Sequence, residues 1–283
     1  MSDPILDISG LHISFTTYGQ RSQILHDVSM TVGKGERVSL IGQSGSGKTV
    51  TMRAIIGTLP MPPASIDSGS ITFEGTELLT LDKRARNKLK GTGVSIVLQD
   101  PLLSFNPLLT IGRQMDDIVR FADIRLGTSR KKADREQRIH EVLREVQLAD
   151  PERICHAYPI QLSGGMRQRV LIVMAQLHKP RMLIADEPGT ALDVTTQQEI
   201  LVLLNRLVDE TGMSLMLITH NLGVVREMAD RVYVMERGRV VESGDRQTIF
   251  RHPEHEYTRR LMEAVPPLYG PKVTNVIIQQ SDV

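Results

Sequence analysis

Apolar and polar residues alternate along Leu11-His12-Ile13-Ser14-Phe15, and again along Ile71-Thr72-Phe73 ahead of a Glu74-Gly75 turn. A period of two marks half-buried antiparallel strands, so the first hundred residues are expected to hold a β-rich layer. Between them, Arg37-Val38-Ser39-Leu40-Ile41 enters a glycine-rich turn and then a helical stretch over Lys48–Thr58. That strand, loop and helix form a unit of a parallel sheet. Met182-Leu183-Ile184-Ala185 and Leu215-Met216-Leu217-Ile218 are unbroken apolar runs, as strands covered on both faces are. A helix over Val194–Glu210 fits between them, with Ile200, Leu203, Leu204 and Leu207 on one face and Asp193 as its N-cap.

From about Ser104 to His156 the period turns helical, with Ile139, Val142, Leu143 and Val146 marking Arg138–Leu148. The basic cluster Arg130, Lys131, Lys132 and Arg135 reads as a solvated helix face, because acids intersperse it from Asp134 onward. Arg231–Met235 and Arg239–Glu242 form a hairpin around Arg237-Gly238. The last thirty or so residues, with Pro253, Pro266, Pro267 and Pro271, are expected to be a peripheral tail. The pattern predicts an α/β core split by an insert: residues 1–103 and 162–250 as core, 104–161 as a helical subdomain, and 251–283 as a C-terminal extension.

Charge and cysteine content narrow the classes. The 34 Lys and Arg against 33 Asp and Glu leave a formal +1, so no global field draws in nucleic acid or an anionic membrane. Cys155, the single cysteine of 283 residues, forms no internal disulfide and completes no structural zinc or iron-sulfur site alone, which fits a reducing compartment. No signal-peptide start and no apolar run near ~20 residues is present, so membrane work is expected to run through a partner.

Gly42-Gln43-Ser44-Gly45-Ser46-Gly47-Lys48-Thr49 matches G-x-x-x-x-G-K-[ST], after a strand and before a helix. Glycines let successive N–H groups face phosphate oxygens, Lys48 reaches the β- and γ-phosphates, and Thr49 offers its hydroxyl to Mg²⁺. Asp186 ends a buried strand, where its carboxylate can hold Mg²⁺, and Glu187 beside it can polarise an attacking water. Leu162-Ser163-Gly164-Gly165-Met166 opens a helix through Leu177 and presents a second anion-binding start of hydroxyl and N–H groups. One chain thus carries two phosphate-binding elements and one Mg²⁺ carboxylate set.

These motifs, with Gln99 after an apolar strand, Ala191-Leu192-Asp193, and His220 after the Leu215–Thr219 strand, occur in an order that resembles the ATP-binding subunits of ABC transporters. The resemblance covers about residues 5–265. It is closer to the peptide and nickel importer group through Gln99-Asp100-Pro101, Asn106-Pro107, Ser163 to Arg169, Ile184 to Pro188 with Ala191 to Val194, and His252 to Thr258. Gly189 and Asn221 depart from the group's usual Thr and Asp, and Met166 from the Gln of the wider superfamily. The cysteine-rich tail of many peptide-importer ATPases is missing, and the tail past Leu268-Tyr269-Gly270 also looks somewhat like that of nickel-importer ATPases.

The resemblance implies a P-loop NTPase (RecA-like) core with an N-terminal antiparallel β layer and an inserted helical subdomain. It implies ATP and Mg²⁺ as cofactors, and hydrolysis in a membrane ABC importer of di- or oligopeptides, or of nickel or another small solute. Catalytic roles fall to Glu187, His220, Lys48 and Gln99; metal contacts to Thr49, Gln99 and Asp186. Nucleotide contacts fall to Tyr18 (stacked on adenine), Gly42, Gln43, Ser44, Gly45, Ser46, Gly47, Lys48, Thr49, Val50, Gln99, Asp186, Asp193 and His220. Ser163, Gly164 and Gly165 would close on ATP held by a second ATPase subunit, in a heterodimer. Two transmembrane permease subunits and an extracytoplasmic solute-binding protein complete the implied complex, at the cytoplasmic face of the inner membrane and without nucleic acid.

Overall fold

A computed structural model describes residues 3–190 and 192–263, apart from the side chains of Arg125 and Leu126. Its strands are β1 (Leu6–Thr17), β2 (Gln20–Val32), β3 (Arg37–Ile41), β4 (Ala64–Phe73), β5 (Thr76–Glu77), β6 (Val94–Val97), β7 (Met182–Asp186), β8 (Ser214–Ile218), β9 (Arg231–Glu236) and β10 (Arg239–Asp245). They divide into an antiparallel sheet of order β2-β1-β4-β5 and a six-stranded sheet of order β10-β9-β3-β8-β7-β6. Within the second sheet only β10 runs antiparallel to its neighbour.

The helices are α1 (Lys48–Ile56), α2 (Lys83–Leu89), α3 (Pro101–Ser104), α4 (Ile111–Leu126), α5 (Lys132–Glu145), α6 (Pro151–His156), α7 (Gly164–Gln176), α8 (Val194–Thr211), α9 (Leu222–Met228), α10 (Arg246–Arg251) and α11 (Glu256–Glu263). Apolar residues of β1, β2 and β4 share one core with α1 and one face of the large sheet. The opposite face, with Leu183, Ala185, Leu215 and Leu217, packs on α7 and α8, and that core runs on into α4 and α5. This is the P-loop NTPase architecture with an antiparallel layer and a helical insert.

Register explains why chemistry collects at one edge. Leu40 of β3 pairs with Ile218 of β8, and Ile218 pairs in turn with Asp186 of β7. The carboxyl ends of three adjacent parallel strands are therefore level, and the segments leaving them meet where an open α/β sheet places its ligands.

Several expectations need correction. The long strand β2 is not marked by a clean alternation, because its first residues are polar and exposed and its register with β1 shifts three times. Tyr18 and Gly19, both at positive φ, close the β1–β2 hairpin. The first helix stops at Ile56, where Gly57 takes a left-handed cap (φ 69°). The helix read as Arg138–Leu148 is α5, beginning six residues earlier. Arg135 is not on a solvated face: its Nε donates to Asp116 Oδ1 at 2.6 Å, tying α5 to α4. Nor is the C-terminal segment wholly peripheral. Tyr257 of α11 is buried against Ile41, Leu222, Val225 and Val234, whereas Pro266, Pro267, Leu268, Tyr269, Gly270 and Pro271 lie outside the described residues, as does Ala191.

Candidate functional site

A cleft of about 780 Å³ opens at the level strand ends, walled by Gln43, Ser44, Gly45, Gly47, Lys48, Thr49, Val50, Gln99, Asp186, Glu187, His220 and Ile24. Eleven of the sequence-predicted residues share this one space. Gly42 and Ser46 stand behind the wall. At Gly42 a Cβ would lie 2.1 Å from the Met235 carbonyl oxygen, so only glycine lets the loop pass this close to β9.

Lys48, the first residue of α1, is buried, and its Nζ donates to the carbonyls of Gly42 (2.6 Å) and Gln43 (2.9 Å). Burial lowers the Lys48 pKa, with the Glu187 and Asp186 carboxylates pulling the other way. Asp186 is pushed up, first by burial and then by the neighbouring Glu187 charge, while Lys48 and Arg53 oppose. Like charges side by side and partly buried favour a bound cation. Thr49, Gln99 and Asp186 carry oxygen donors of the hard type that Mg²⁺ prefers. The donor chemistry fits Mg²⁺.

Glu187 leaves β7 at positive φ (48°), a costly conformation for a residue with a Cβ. The surroundings fix it: its N–H donates to the Ile218 carbonyl at 2.8 Å. Gln99 Nε2 donates to Oε2 at 2.9 Å, and Thr190 Oγ1 to the same oxygen at 3.1 Å. His220 Nδ1 lies 2.6 Å from Oε1. A carboxylate only accepts, so Nδ1 carries the proton. Asn221 next to it caps α9 through the N–H groups of Gly223 and Val224, the service an Asp there would give.

Other predicted residues stand apart from the cleft. Ser163 caps α7 by accepting from Met166 N–H, and Gly164 and Gly165 abut Leu192 and Thr196 at the start of α8. Asp193 caps α8, and its bonds from Thr196 hold its carboxyl below the usual range. Tyr18 stands fully exposed at the tip of the hairpin turn, and Ile24 of the same hairpin lines the cleft. Sequence reasoning missed Thr190 as a Glu187 partner, though Glu187-Pro188-Gly189-Thr190 is a turn-forming spacing.

Fold and cleft define a P-loop nucleoside triphosphatase. Residues 25–190 match the family model described as ABC transporter, and residues 241–282 match one described as Oligopeptide/dipeptide transporter, C-terminal region. The chain belongs to the ABC transporter family, as one of its ATP-hydrolysing subunits. The dipeptide transport ATP-binding protein DppD of Bacillus subtilis is 42% identical over 94% of this chain and 78% of its own length. The oligopeptide transport ATP-binding protein OppD of the same organism is 41% identical over 93% and 72%. The peptidoglycan transport ATP-binding protein YejF of Agrobacterium fabrum is 43% identical over 100% of this chain, which spans 51% of that relative. Among solved structures, an ATP-binding cassette in a dimeric post-hydrolysis state bound to ADP and Pi superposes with a TM-score of 0.73, at 26% identity over 85% of this chain and 98% of that one.

Proposed function

We propose that this chain is the ATPase subunit of an importer of di- or oligopeptides, working at the cytoplasmic face of the inner membrane beneath two permease subunits, with a second ATPase subunit and a solute-binding protein. The observation that carries the reading is the single cleft in which the P-loop, Gln99, Asp186, Glu187 and His220 converge. The names of DppD and OppD support peptides as cargo.

Each role follows from position. P-loop amides and Lys48 hold the phosphates. Thr49, Gln99 and Asp186 would hold Mg²⁺, which when bound would supply charge neutralisation to the phosphates. Glu187 takes a proton from water as its oxygen bonds to the γ-phosphorus and the bond to ADP breaks. His220, its Nδ1 proton engaged by Glu187, offers Nε2 to the γ-phosphate. Ser163, Gly164, Gly165 and Asp193 lie on a separate surface, which suits contact with ATP on a second subunit. No helix of the described residues is long and apolar enough to cross a membrane. Exposed Leu103 and Phe121 rim a groove of about 770 Å³ that Leu98, next to Gln99, also lines, an apolar surface suited to a permease.

The test is reconstitution of the chain with its permeases and partner ATPase in liposomes. Uptake of labelled tripeptide on ATP addition, with matching phosphate release, is expected. Uptake of nickel ions instead would move the cargo to the alternative reading, and ATP turnover with neither would remove the importer assignment.

A further inference from the structure

The peptide unit joining Gly42 to Gln43 is gripped on both edges. Its carbonyl accepts from Lys48 Nζ at 2.6 Å, and its N–H donates to the hydroxyl of Tyr257 at 2.9 Å, more than two hundred residues further along the chain. In a trans peptide these groups point opposite ways, so the two contacts together fix the plane's rotation. Tyr257 is the second residue of α11, and its ring is buried beside Ile41, the last residue of β3, and Leu222, two residues after His220.

The tyrosine is itself firmly placed. Glu242 of β10 accepts from the N–H groups of Glu254 (2.8 Å) and His255 (3.1 Å), and His255 Nδ1 accepts from Tyr257 N–H at 3.2 Å. The His255-Glu256-Tyr257-Thr258 stretch is thus built onto the hairpin behind the P-loop.

We propose that Tyr257 is a positioning residue of the ATP site. By holding the Gly42–Gln43 peptide, it keeps the Gly42 carbonyl aimed at Lys48 and so sets where the ammonium sits. Without the hydroxyl, the Gln43 N–H loses the acceptor that the fold supplies, and the peptide gains freedom to rotate away from Lys48. The C-terminal segment then belongs to the nucleotide site. This inference rests on the ATPase reading above.

The experiment compares the full-length wild-type chain with Tyr257→Phe, which keeps the ring and removes only the acceptor. ATP affinity is measured by displacement of trinitrophenyl-ATP, and amide hydrogen exchange is followed at Gln43. A roughly tenfold weaker ATP Kd and a similar acceleration of Gln43 exchange are expected, with little change in Tm. Ile249→Val, which loosens the same apolar cluster without touching the hydroxyl, should lower Tm and leave ATP affinity alone. Equal affinity in Tyr257→Phe and wild type overturns the proposal, as does equal weakening by Ile249→Val. If Tyr257→Phe does not fold, the wild-type Gln43 amide decides: exchange as fast as that of Ser44 overturns it, and marked protection supports it. Failure of the wild type to bind ATP at all removes instead the ATPase reading.

Discussion

His220 Nδ1 and Glu187 Oε1 are 2.6 Å apart, joining the segments that follow two adjacent parallel strands. Gln99 and Thr190 hold the other carboxylate oxygen, so groups from three stretches of chain orient Glu187. The strained backbone at Glu187 persists because these bonds and its N–H bond to Ile218 leave no alternative.

A base so placed makes Glu187→Gln informative. The amide keeps the size of the carboxylate but cannot accept the proton of an attacking water. Phosphate release should fall by at least about 100-fold, while ATP affinity stays within about twofold of wild type. Turnover near the wild-type rate would take Glu187 out of the mechanism.

Ser163 is exposed and caps α7. An arginine there blocks a surface and removes a cap, so two effects must be separated. Ser163→Arg should abolish hydrolysis yet bind ATP normally, because the side chain lies outside the cleft of its own subunit. The lost cap accounts for about 1 kcal/mol of stability. Ser163→Asn, which still caps, should leave Tm unchanged. Wild-type hydrolysis by Ser163→Arg would argue against a site completed by a second subunit.

Glu242 should contribute to the loss of stability in acid. Burial works against its charge, but the nearby Thr258 hydroxyl, the bonds from the N–H groups of Glu254 and His255, and the His255 charge hold its pKa below the usual 4.5. A depressed carboxyl contributes stability that is present above its unfolded pKa and lost as pH falls through the folded one. Tm should therefore drop below about pH 4.5, and Glu242→Gln should lower Tm at pH 7 and flatten that drop. Thermal melts from neutral to acid pH read this out, and parallel profiles for both proteins would assign the acid sensitivity elsewhere.

What was legible in the sequence follows from where its signals are local. The P-loop, the Asp186-Glu187 pair and His220 are each short segments tied to a buried strand, and strand register does the rest. The exposure of Tyr18 was not legible in the sequence, because it comes from two successive positive φ values at the hairpin turn. The role of Tyr257 was hidden because a helix of 8 residues between proline-rich stretches has no periodicity to read, and its hydroxyl meets a partner set by tertiary packing alone. Arg135 was misread for a similar reason: the acid it pairs with lies on another helix.

The groove beside Gln99 offers the last test. Leu103 and Leu108 are 85% and 81% exposed, an arrangement that costs solubility unless another surface covers it. Leu103 is anchored near the catalytic cleft, since α3, which carries it, begins two residues after Gln99 and Asp100 caps it by accepting from Leu102 N–H; Leu108 follows four residues beyond the helix. A charge at either position does not touch the cleft but makes burial against an apolar permease segment costly, by several kcal/mol for an unpaired charge. Leu103→Glu with Leu108→Glu should therefore keep ATP affinity and Tm at wild-type values, yet lose copurification with the permease subunits from detergent. Retained copurification would place the permease contact on another face of the chain.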